Sequence, residues 1–289
     1  MEKIVLVGNF TVDIIHIKHK TYKCIGGPPS YGSLVLRDRE DLNVEVLGNY
    51  AEPHEKFLNI LKSYQISVIG KKCVKYDVFE IFGVKKKKLL IKNLGCKITN
   101  ISEGDFFVFN GVSNEIRTEL IGHAKKLGGT VFVDPQGFIR KRKVGPVNFY
   151  NNRDFSEQLK NVDYIKVNNK EIKVITGLSG VSGINELHKM GVKNVLYFSG
   201  EKILFDGEKF KIGLEVNKKT YIYDGIGMGD IFNAAFVYGL LKKGVEFALP
   251  LAHMATLKRI DRACLLKAPK IEEIIDDAKF LMKDLIIYN

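Results

Sequence analysis

Short apolar runs rich in β-branched and aromatic residues alternate along the chain with longer segments of helical periodicity. Five of these runs are predicted to be buried strands: residues 3–8, 105–109, 130–134, 163–167 and 194–198. A helix is predicted over residues 114–127, whose apolar side chains share one face and precede a Gly-Gly stop. Alternation of this kind predicts an α/β fold of three layers, in which helices cover both faces of a mostly parallel central sheet.

Two segments, residues 11–25 and 71–93, interrupt this alternation. Each contains two β-like runs with no room for a crossover helix between them, so hairpins are predicted. We expect these strands to form a small β-sheet lid, inserted into one domain that spans residues 1–289. More hairpin-like strands are predicted at residues 202–205, 209–214 and 220–223, with helices from there to the end of the chain.

Composition excludes several other classes of protein. With 45% hydrophobic and 27% charged residues, the chain has the balance of a globular domain rather than of a disordered one. No stretch approaches the ~20 apolar residues of a membrane-spanning helix, and residues 1–8 do not read as a signal peptide. We therefore expect a soluble, cytoplasmic protein without a membrane partner. The cysteines at positions 24, 73, 96 and 264 match no zinc or Cys-x-x-Cys spacing and are predicted to be unpaired thiols of a reducing compartment.

The chain carries 45 Lys and Arg against 33 Asp and Glu, a formal net charge of +12. This charge favours anionic ligands by long-range attraction. The densest basic runs are residues 85–88, at the bend between two β-like runs, and residues 140–143. Lysines at such a bend more often solvate a turn than bind phosphate, and no aromatic residues are interleaved with them as base stacking requires. We predict no nucleic-acid partner.

Residues 224–230, Asp-Gly-Ile-Gly-Met-Gly-Asp, form the sharpest motif, at the junction of a predicted strand and an apolar helix. Gly227 and Gly229 lack a Cβ, which lets successive backbone N–H groups converge on a ligand. The positive end of the helix dipole lies at the same point. An anion-binding pocket is therefore predicted, formed by the amides of Gly227, Met228 and Gly229.

Asp230 is predicted to lie at the mouth of this pocket, in the first turn of the helix. An isolated acidic residue there is most simply a favourable partner of the helix dipole. Beside a bound phosphate, however, a carboxylate is electrostatically costly unless it has a chemical task. Accepting a proton from a hydroxyl that attacks phosphorus is such a task. The dinucleotide-binding pattern after the first strand and the P-loop pattern are both absent from the sequence.

This motif and the Ala-rich helix after it resemble the C-terminal signature of the ribokinase-like (PfkB) carbohydrate kinases, usually Asp-Thr/Pro-x-Gly-Ala-Gly-Asp. The resemblance implies that Asp230 is the catalytic base. It also implies that the amides of Gly227, Met228 and Gly229 form the anion hole for the transferred phosphoryl group. Gly225 and Met228 depart from the usual residues, but both changes keep the backbone donors in place.

The N-terminal half resembles the same family. Gly8-x-x-x-x-Asp13 matches an element whose Asp binds substrate hydroxyls in that family, and Gly26-Gly27 matches a glycine pair that opens a helix against the substrate. Standing alone, the glycine pair would read as an ordinary turn. Family members also carry a small β-sheet lid, which agrees with the inserted strands. The resemblance thus implies that Asp13, Gly26 and Gly27 bind the acceptor.

Two further elements resemble the nucleotide site of the family. Asn168-x-x-Glu171 matches an element that organises magnesium and the nucleotide phosphates, with Glu171 acting on the metal through water. Taken alone, these residues would be a helix cap with an acidic residue in its first turn. Residues 198–203 resemble a degraded Thr-x-Gly-x-x-Gly element, in which Ser199 and Gly200 would lie along the nucleotide. The implied cofactors are ATP and Mg²⁺.

The resemblance implies an ATP-dependent kinase that transfers a phosphoryl group to a hydroxyl of a small polyhydroxylated molecule, a sugar or a cyclitol. Two alternatives stay open: a nucleoside kinase of the same family, and a nucleotide-binding protein on this fold that has lost its chemistry. Retention of Asp230 argues against lost chemistry, because a pure binding protein needs no carboxylate facing phosphate. A homodimer formed through the lid is compatible with the resemblance.

Tyr31 stands four residues beyond the glycine pair, where sugar and nucleoside kinases of the family usually place an Asn. An aromatic residue there, together with Val-Gly-Asn-Phe at residues 7–10, resembles the myo-inositol kinase branch of the family. We hypothesise that Tyr31 lines the acceptor site and that the acceptor is an uncharged cyclitol or related sugar rather than a sugar phosphate. The alternative is that Tyr31 only packs in the hinge of the lid.

Overall fold

The computed structural model describes residues 1–83, 88–216, 225–258 and 268–288. Two β-sheets organise these residues, and strands are numbered along the chain. The larger sheet has 10 strands: β1 (Lys3–Val7), β4 (Asn43–Leu47), β5 (Ser67–Ile69), β8 (Phe106–Asn110), β9 (Thr130–Asp134), β11 (Tyr164–Asn168), β12 (Asn194–Phe198), β13 (Lys202–Gly207), β14 (Lys211–Glu215) and β15 (Ile286–Tyr288). Their order is β15-β14-β13-β12-β11-β9-β8-β1-β4-β5. The strands from β12 to β5 are parallel, and β13, β14 and β15 are antiparallel.

The smaller sheet, called the lid sheet below, has 5 strands in the order β10-β7-β6-β2-β3. They are β2 (Thr11–Ile17), β3 (Lys20–Gly26), β6 (Asp77–Phe82), β7 (Lys88–Asn93) and β10 (Gly145–Pro146). The pairs β2–β3 and β6–β7 are antiparallel, as the two predicted hairpins require. The bend predicted near Lys85 lies outside the described residues.

Helices cover both faces of the larger sheet: α1 (Pro28–Val35), α2 (Glu55–Ser63), α3 (Glu119–Lys126), α4 (Arg153–Gln158), α5 (Asn169–Thr176), α6 (Gly180–Lys189), α7 (Met228–Lys243), α8 (Val245–Lys258) and α9 (Ile275–Leu281). Side chains of β1 alternate between the two layers. Ile4 and Leu6 pack in a buried apolar cluster with α1, α2, α7, α8 and α9, whereas Val5 and Val7 pack with α3, α4, α5 and α6. The predicted three-layer α/β fold with a mostly parallel sheet and a small second sheet is therefore confirmed.

The predicted helix over residues 114–127 is wrong at its start, because α3 begins at Glu119. The preceding residues form an extended bridge instead: Ile98 N donates to Glu115 O at 2.8 Å, and Arg117 N donates to Ile98 O at 3.2 Å. Ile116 is buried all the same. The apolar spacing therefore correctly predicts that the Ile116 side chain points into the core, but it wrongly predicts a helical backbone at this residue.

Several strands of the structure are not among those predicted from the sequence, and one predicted strand falls outside the described residues. β4, β5, β10 and β15 have no counterpart among the predicted strands, and β15 falls where only helices are expected. The hairpin strands expected at residues 202–205 and 209–214 correspond to β13 and β14. The strand predicted at residues 220–223 lies outside the described residues.

The prediction of unpaired thiols is wrong for Cys24, Cys73 and Cys96. Cys73 and Cys96 form a disulfide that joins the two ends of the β6–β7 hairpin. They are 23 residues apart in sequence, and only the hairpin brings their Cα atoms to 6.3 Å. Cys24 is disulfide-bonded as well, and Cys264 lies outside the described residues.

The basic run at residues 140–143 is not simply a solvated patch. Arg140 is buried, and its Nη1 donates to Val112 O at 2.9 Å. Arg142 Nη1 donates to Ser113 Oγ at 2.8 Å. Of the run at residues 85–88, Lys88 alone is described. Within the described ranges, no helix is long and apolar enough to cross a membrane.

Candidate active site

A cavity of about 840 Å³ lies between the lid sheet and one edge of the larger sheet. At this edge β8, β9 and β11 end, at Asn110, Asp134 and Asn168. Helix α7 begins there at Met228. Open α/β sheets bind ligands outside the carboxyl ends of their parallel strands. The cavity is therefore the candidate active site.

The predicted anion-binding turn leads directly into α7. Gly227 precedes the helix with a φ of 75°, a left-handed conformation that favours glycine. Met228 and Gly229 follow in the first turn, where backbone amides have no preceding turn of helix to bond with. All three residues line the cavity. An anion at this point would meet backbone donors and the positive end of the helix dipole.

The close approach of an aromatic ring is a second reason why position 227 requires glycine. A Cβ at Gly227 would overlap the ring of Tyr31, so only glycine lets the turn rest on it. Tyr31 belongs to α1 and is 1% exposed, yet it lines the cavity. The structure thus gives Tyr31 a packing role against the anion-binding turn in addition to its place in the cavity wall.

Asp230 lies in the first turn of α7 and lines the cavity. Asn110 Nδ2 donates to Asp230 Oδ1 at 2.7 Å, which orients the carboxylate. Burial, and then repulsion from Asp134, raise the pKa of Asp230 to about 6, against the opposing effects of Lys166 and the Asn110 hydrogen bond. A carboxylate with this pKa is a better proton acceptor near neutral pH than an ordinary Asp.

Lys166, on β11, supplies a largely buried positive charge beside this turn, with its side chain 12% exposed. Its Nζ lies 2.5 Å from Asp134 Oδ2, and a Cβ at Gly229 would lie 2.8 Å from the same Nζ. Burial acts to lower the pKa of Lys166, but Asp134 and Glu171 raise it above its usual value. The ammonium group is therefore charged at neutral pH and positioned to contact an anion bound at the turn.

Arg140 adds a second buried cation to the wall of the cavity. Its Nε has no hydrogen-bond partner among the described residues, and the same holds for Asn110 Oδ1 and Asn233 Oδ1. Asn233 Nδ2 donates to Asp134 Oδ2 at 3.1 Å. A buried polar atom without a partner costs about 1–3 kcal/mol. Such atoms beside paired charges mark a place where a ligand or its waters complete the hydrogen bonding.

Asn168 and Glu171 form a capping box at the start of α5. Asn168 Oδ1 accepts from the amides of Lys170 (2.9 Å) and Glu171 (3.0 Å), and Glu171 Oε2 accepts from Asn168 N (2.9 Å). Both residues also line the cavity. Burial, and then repulsion from Asp134, raise the pKa of Glu171 to about 7. Asn168 and Glu171 thus cap α5, and Glu171 also places its carboxyl group in the cavity near Asp134 and Lys166.

Asp13 lies on β2, where the lid sheet meets the cavity. Thr11 Oγ1 donates to Asp13 Oδ1 at 2.8 Å. Gly26 pairs with Thr11 across the hairpin, and a Cβ at Gly26 would overlap Asp13 Oδ2. Gly26 therefore makes room for the Asp13 carboxylate and does not line the cavity itself.

Most residues that the sequence assigns to the site line this cavity: Asp13, Gly27, Tyr31, Asn168, Glu171, Gly200, Gly227, Met228, Gly229 and Asp230. Gly26 and Ser199 are not among its lining residues. Ser199 Oγ accepts from Lys202 N at 3.0 Å and so stabilises the turn between β12 and β13. In the part of the chain that the structure describes, no three His, Cys, Asp or Glu side chains are grouped to hold a metal directly.

Sequence reasoning misses Asn110, Asp134, Arg140 and Lys166. A signal exists for two of them, because Asn110 and Asp134 end strands that the apolar pattern predicts, and ligands bind at such ends. Lys166 lies inside a predicted strand, and nothing in its local sequence indicates that it belongs to the site. Arg140 reads as part of a basic run, and nothing local indicates that it is buried.

Comparison with known proteins agrees with the fold and the motif. The profile of the pfkB family of carbohydrate kinases matches residues 93–263, more than half of the chain. The chain therefore belongs to the pfkB family of carbohydrate kinases. A search of curated protein sequences finds no match.

Solved structures that share this fold cover nearly the whole chain. A pyrophosphate-dependent kinase of the ribokinase family, solved with a pyrophosphate analogue and myo-inositol, has a TM-score of 0.78 and 18% identity, over 92% of this chain and 98% of its own. Ribokinase from Thermotoga maritima has a TM-score of 0.74 and 20% identity, over 97% and 100%. Ribokinase from Arabidopsis thaliana, solved with ribose and ATP, has a TM-score of 0.72 and 17% identity, over 96% and 99%. At these identities the comparisons show a ribokinase-like fold.

Proposed function

We propose that this chain is an ATP-dependent kinase that phosphorylates a hydroxyl of a small, uncharged, polyhydroxylated acceptor. The observation that carries the proposal is the position of Asp230, an acid of raised pKa in the first turn of α7. It stands beside the anion-binding turn, and the largely buried Lys166 lies against the same turn. Phosphoryl transfer to a hydroxyl needs a residue that orients the nucleophile and takes its proton, together with positive charge around the phosphoryl group.

In the proposed reaction, the acceptor oxygen forms a bond to the terminal phosphorus of ATP while the bond from that phosphorus to the leaving ADP oxygen breaks. The hydroxyl proton passes to Asp230, whose carboxylate Asn110 holds in one orientation. The amides of the turn and Lys166 stabilise negative charge on the moving phosphoryl oxygens. Because these donors are fixed before the reaction, they need little reorganisation during it.

The residues at the phosphate end of the cavity fit a hydrated magnesium ion. Magnesium prefers oxygen ligands and keeps several waters. Glu171 lines the cavity and offers a carboxylate oriented by the capping box. Behind the lining, Asn110 and Asn233 donate to Asp230 and Asp134, and their Oδ1 atoms are buried acceptors without partners among the described residues. When bound, the ion would neutralise charge on the nucleotide phosphates. Glu171 would hold it through water.

The part of the cavity that adjoins β12, β13 and α8 supports a nucleotide donor. Its lining there is mainly apolar: Phe198, Ile203, Val216, His253, Thr256 and Leu257. Burial lowers the pKa of His253, so this ring is neutral and adds no charge. An apolar compartment suits a nucleobase, whereas pyrophosphate would leave it unfilled. We therefore propose ATP as the donor.

A panel assay tests this function. Product formation is measured with ATP or pyrophosphate as donor and with sugars, nucleosides and cyclitols as acceptors. We expect turnover with ATP and at least one uncharged acceptor. Binding of ATP without turnover of any acceptor would favour the alternative of a nucleotide-binding protein that lacks chemistry, and turnover with pyrophosphate alone would contradict the proposed donor.

The raised pKa of Asp230 predicts how the activity depends on pH. A general base works only when ionised, so at saturating Mg²⁺ kcat/KM for the acceptor is expected to fall as the pH drops through about 6 and to level off about one pH unit above it. Below that point the fall should approach about tenfold per pH unit. A pH–rate profile measures this dependence. A profile that is flat across this region would contradict the role of Asp230 as base.

Glu171→Gln separates the proposed metal role from the capping role. Glutamine keeps an oxygen that can accept from Asn168 N, so α5 should stay capped. Loss of the charge is expected to raise the Mg²⁺ concentration for half-maximal rate by ~10–100-fold. A magnesium titration measures the change. Glu119→Gln, at the exposed start of α3, is the matched control, and equal magnesium requirements in the two variants would contradict the proposed role.

Two other expectations stay predictions. The Cys73–Cys96 disulfide weakens the basis for a cytoplasmic location, because disulfides are rare in the cytosol of most mesophiles.

A homodimer through the lid sheet would use β3, the last strand in the order of that sheet. Light scattering in solution tests the homodimer.

A further inference from the structure

The two sheets are joined by chain segments that meet around one buried side chain, that of Asn9. Asn9 lies between β1 of the larger sheet and β2 of the lid sheet, and it is 1% exposed. It is not among the residues that line the cavity. A buried amide of this kind forms its hydrogen bonds within the protein, so its partners show which segments it holds together.

Every hydrogen-bonding position of the Asn9 amide group is used. Nδ2 donates to Asp77 Oδ2 at 2.9 Å and to Cys96 O at 2.7 Å, at the two ends of the β6–β7 hairpin. Oδ1 accepts from Asn49 N and from Lys71 N, each at 3.1 Å, in the segments that follow β4 and β5. Asn9 thus ties one hairpin of the lid sheet to two strands of the larger sheet.

Asp77 extends this network to a third strand of the larger sheet. Ser113, which follows β8, donates from Oγ to Asp77 Oδ1 at 2.8 Å, and Arg142 Nη1 donates to the same Oγ at 2.8 Å. Asp77 and Ser113 are both fully buried. A satisfied polar network in a core adds little stability over apolar packing of the same shape, but it specifies one arrangement of the segments that it joins.

The network lies at the start of the strand that carries Asp13. In the parallel pairing of β2 with β6, Thr11 is opposite Asp77, and Thr11 Oγ1 donates to Asp13 Oδ1 at 2.8 Å. Asn9 lies just before Thr11 and bonds to Asp77 across the same pair of strands. The position of Asn9 therefore determines where β2 begins against β6, and through Thr11 it determines where the Asp13 carboxylate lies in the cavity.

We infer that Asn9 is a positioning residue of the proposed kinase, which fixes the lid sheet on the larger sheet and so holds Asp13 where it can bind an acceptor whose hydroxyl faces Asp230. This inference rests on the proposed function, and it adds a residue that does not touch the substrates. It also gives a structural role to Asn9 within the Val-Gly-Asn-Phe segment at residues 7–10. Because the donor part of the cavity adjoins β12, β13 and α8, binding of the acceptor should depend on Asn9 and binding of ATP should not.

Asn9→Asp tests the role of the amide, because it keeps the size of the side chain and removes the Nδ2 donor. An oxygen then faces Asp77 Oδ2 and Cys96 O, and the segments must move apart. With ATP saturating, kcat/KM for the acceptor that the panel assay identifies is expected to fall by ~10–100-fold, chiefly through a higher KM, because a small displacement of a binding group is enough for such a loss. The KM for ATP should stay within about threefold of wild type. Partial unfolding would lower kcat and leave both KM values unchanged, and a loss confined to kcat would overturn the inference.

Asn9→Asp/Asp77→Asn tests the hydrogen bond between the two side chains. The donor and the acceptor exchange places, so the bond can form in the opposite direction. We expect the double variant to recover at least ~threefold of the lost kcat/KM for the acceptor, and no recovery would contradict the inference. Asn194→Asp is the matched control, because Asn194 Nδ2 donates to Asp163 O at 2.9 Å at the start of β12, away from the cavity. It should keep the wild-type KM for the acceptor.

Hydrogen exchange, followed by mass spectrometry on the unliganded protein, separates failure of this inference from failure of the proposed function. In Asn9→Asp, the amides of β2 and β6 are expected to exchange at least ~10-fold faster than in the wild type, while those of β9 and β11 keep their rates. Ser113→Ala removes one hydrogen bond to Asp77 without adding charge. It should therefore show the same pattern more weakly, and it decides the question if Asn9→Asp does not fold.

This pattern of exchange would support the inference even if no acceptor in the panel is phosphorylated, an outcome that would contradict the proposed function. Wild-type exchange of β2 and β6 in the folded variants would overturn the inference and leave the kinase function standing.

Discussion

Replacing Asp230 with asparagine is expected to lower kcat by ~10²–10⁴-fold, the usual contribution of a positioned general base. Asparagine keeps the size of the side chain and an oxygen that can accept from Asn110 Nδ2. It cannot take the proton of the attacking hydroxyl. The affinity for ATP should change little, because the backbone donors of the turn and Lys166 remain. Steady-state kinetics and a titration with ATP measure the two quantities.

The fold of this variant should be at least as stable as the wild type at neutral pH. The pKa of Asp230 is raised to about 6 in the folded chain, which means that folding disfavours its ionised form. A neutral asparagine avoids that cost, so Tm should not fall. Asp276→Asn, at an exposed position on α9, is a control expected to keep wild-type kcat. Near-wild-type kcat in Asp230→Asn would exclude Asp230 as the base.

Gly227→Ala is expected to have the second largest effect. Alanine must adopt a φ of 75° there, a left-handed conformation that costs a residue with a Cβ ~1–2 kcal/mol. Its Cβ would also overlap the buried Tyr31 ring, which has little room to move. The turn must therefore shift, and its amides with it. We expect kcat/KM to fall by ~10²–10³-fold, as when one donor of an oxyanion hole is lost.

Met228→Ala is the matched control, because Met228 contributes its amide rather than its side chain. Its kcat/KM should stay within about threefold of wild type, since the backbone donor is unchanged. The double variant Gly227→Ala/Tyr31→Ala should regain part of the loss, because alanine lacks the Cγ and ring atoms that the new Cβ would overlap. Equal and mild effects of the two single variants would show that no rigid backbone pocket exists at this turn.

The parallel strands in the middle of the larger sheet can be predicted because helices cover both of their faces. All five residues of β8 are buried, and such continuous apolar runs stand out in a sequence. β4 is less visible, since Glu45 interrupts its apolar run and is stabilised by an ion pair with Lys3 at 2.9 Å. The start of α3 is missed because an inward-facing Ile116 suits an extended bridge as well as a helix.

The site is predictable only where its chemistry resides in consecutive residues. The turn at Gly227 and the capping box at Asn168 are local, and their spacing identifies them. The bond between Asn110 and Asp230 joins residues 120 positions apart, and the pairing of Lys166 with Asp134 depends on the order of the strands. The ends of predicted strands mark Asn110 and Asp134 as candidates, but nothing in the neighbouring sequence indicates which residue each one pairs with. The Cys73–Cys96 disulfide cannot be predicted for the same reason, because its two cysteines meet only in the folded hairpin.

Helix α1 follows Gly26, which makes room for Asp13, and it carries Tyr31 under Gly227. The proposed acceptor and donor sites thus share one short helix as a support. Thermodynamic linkage is reciprocal, so any factor by which a bound acceptor changes the affinity for ATP through this helix equals the factor by which bound ATP changes the affinity for the acceptor. Whichever substrate binds first, a single coupling constant therefore describes the effect of each on the affinity for the other.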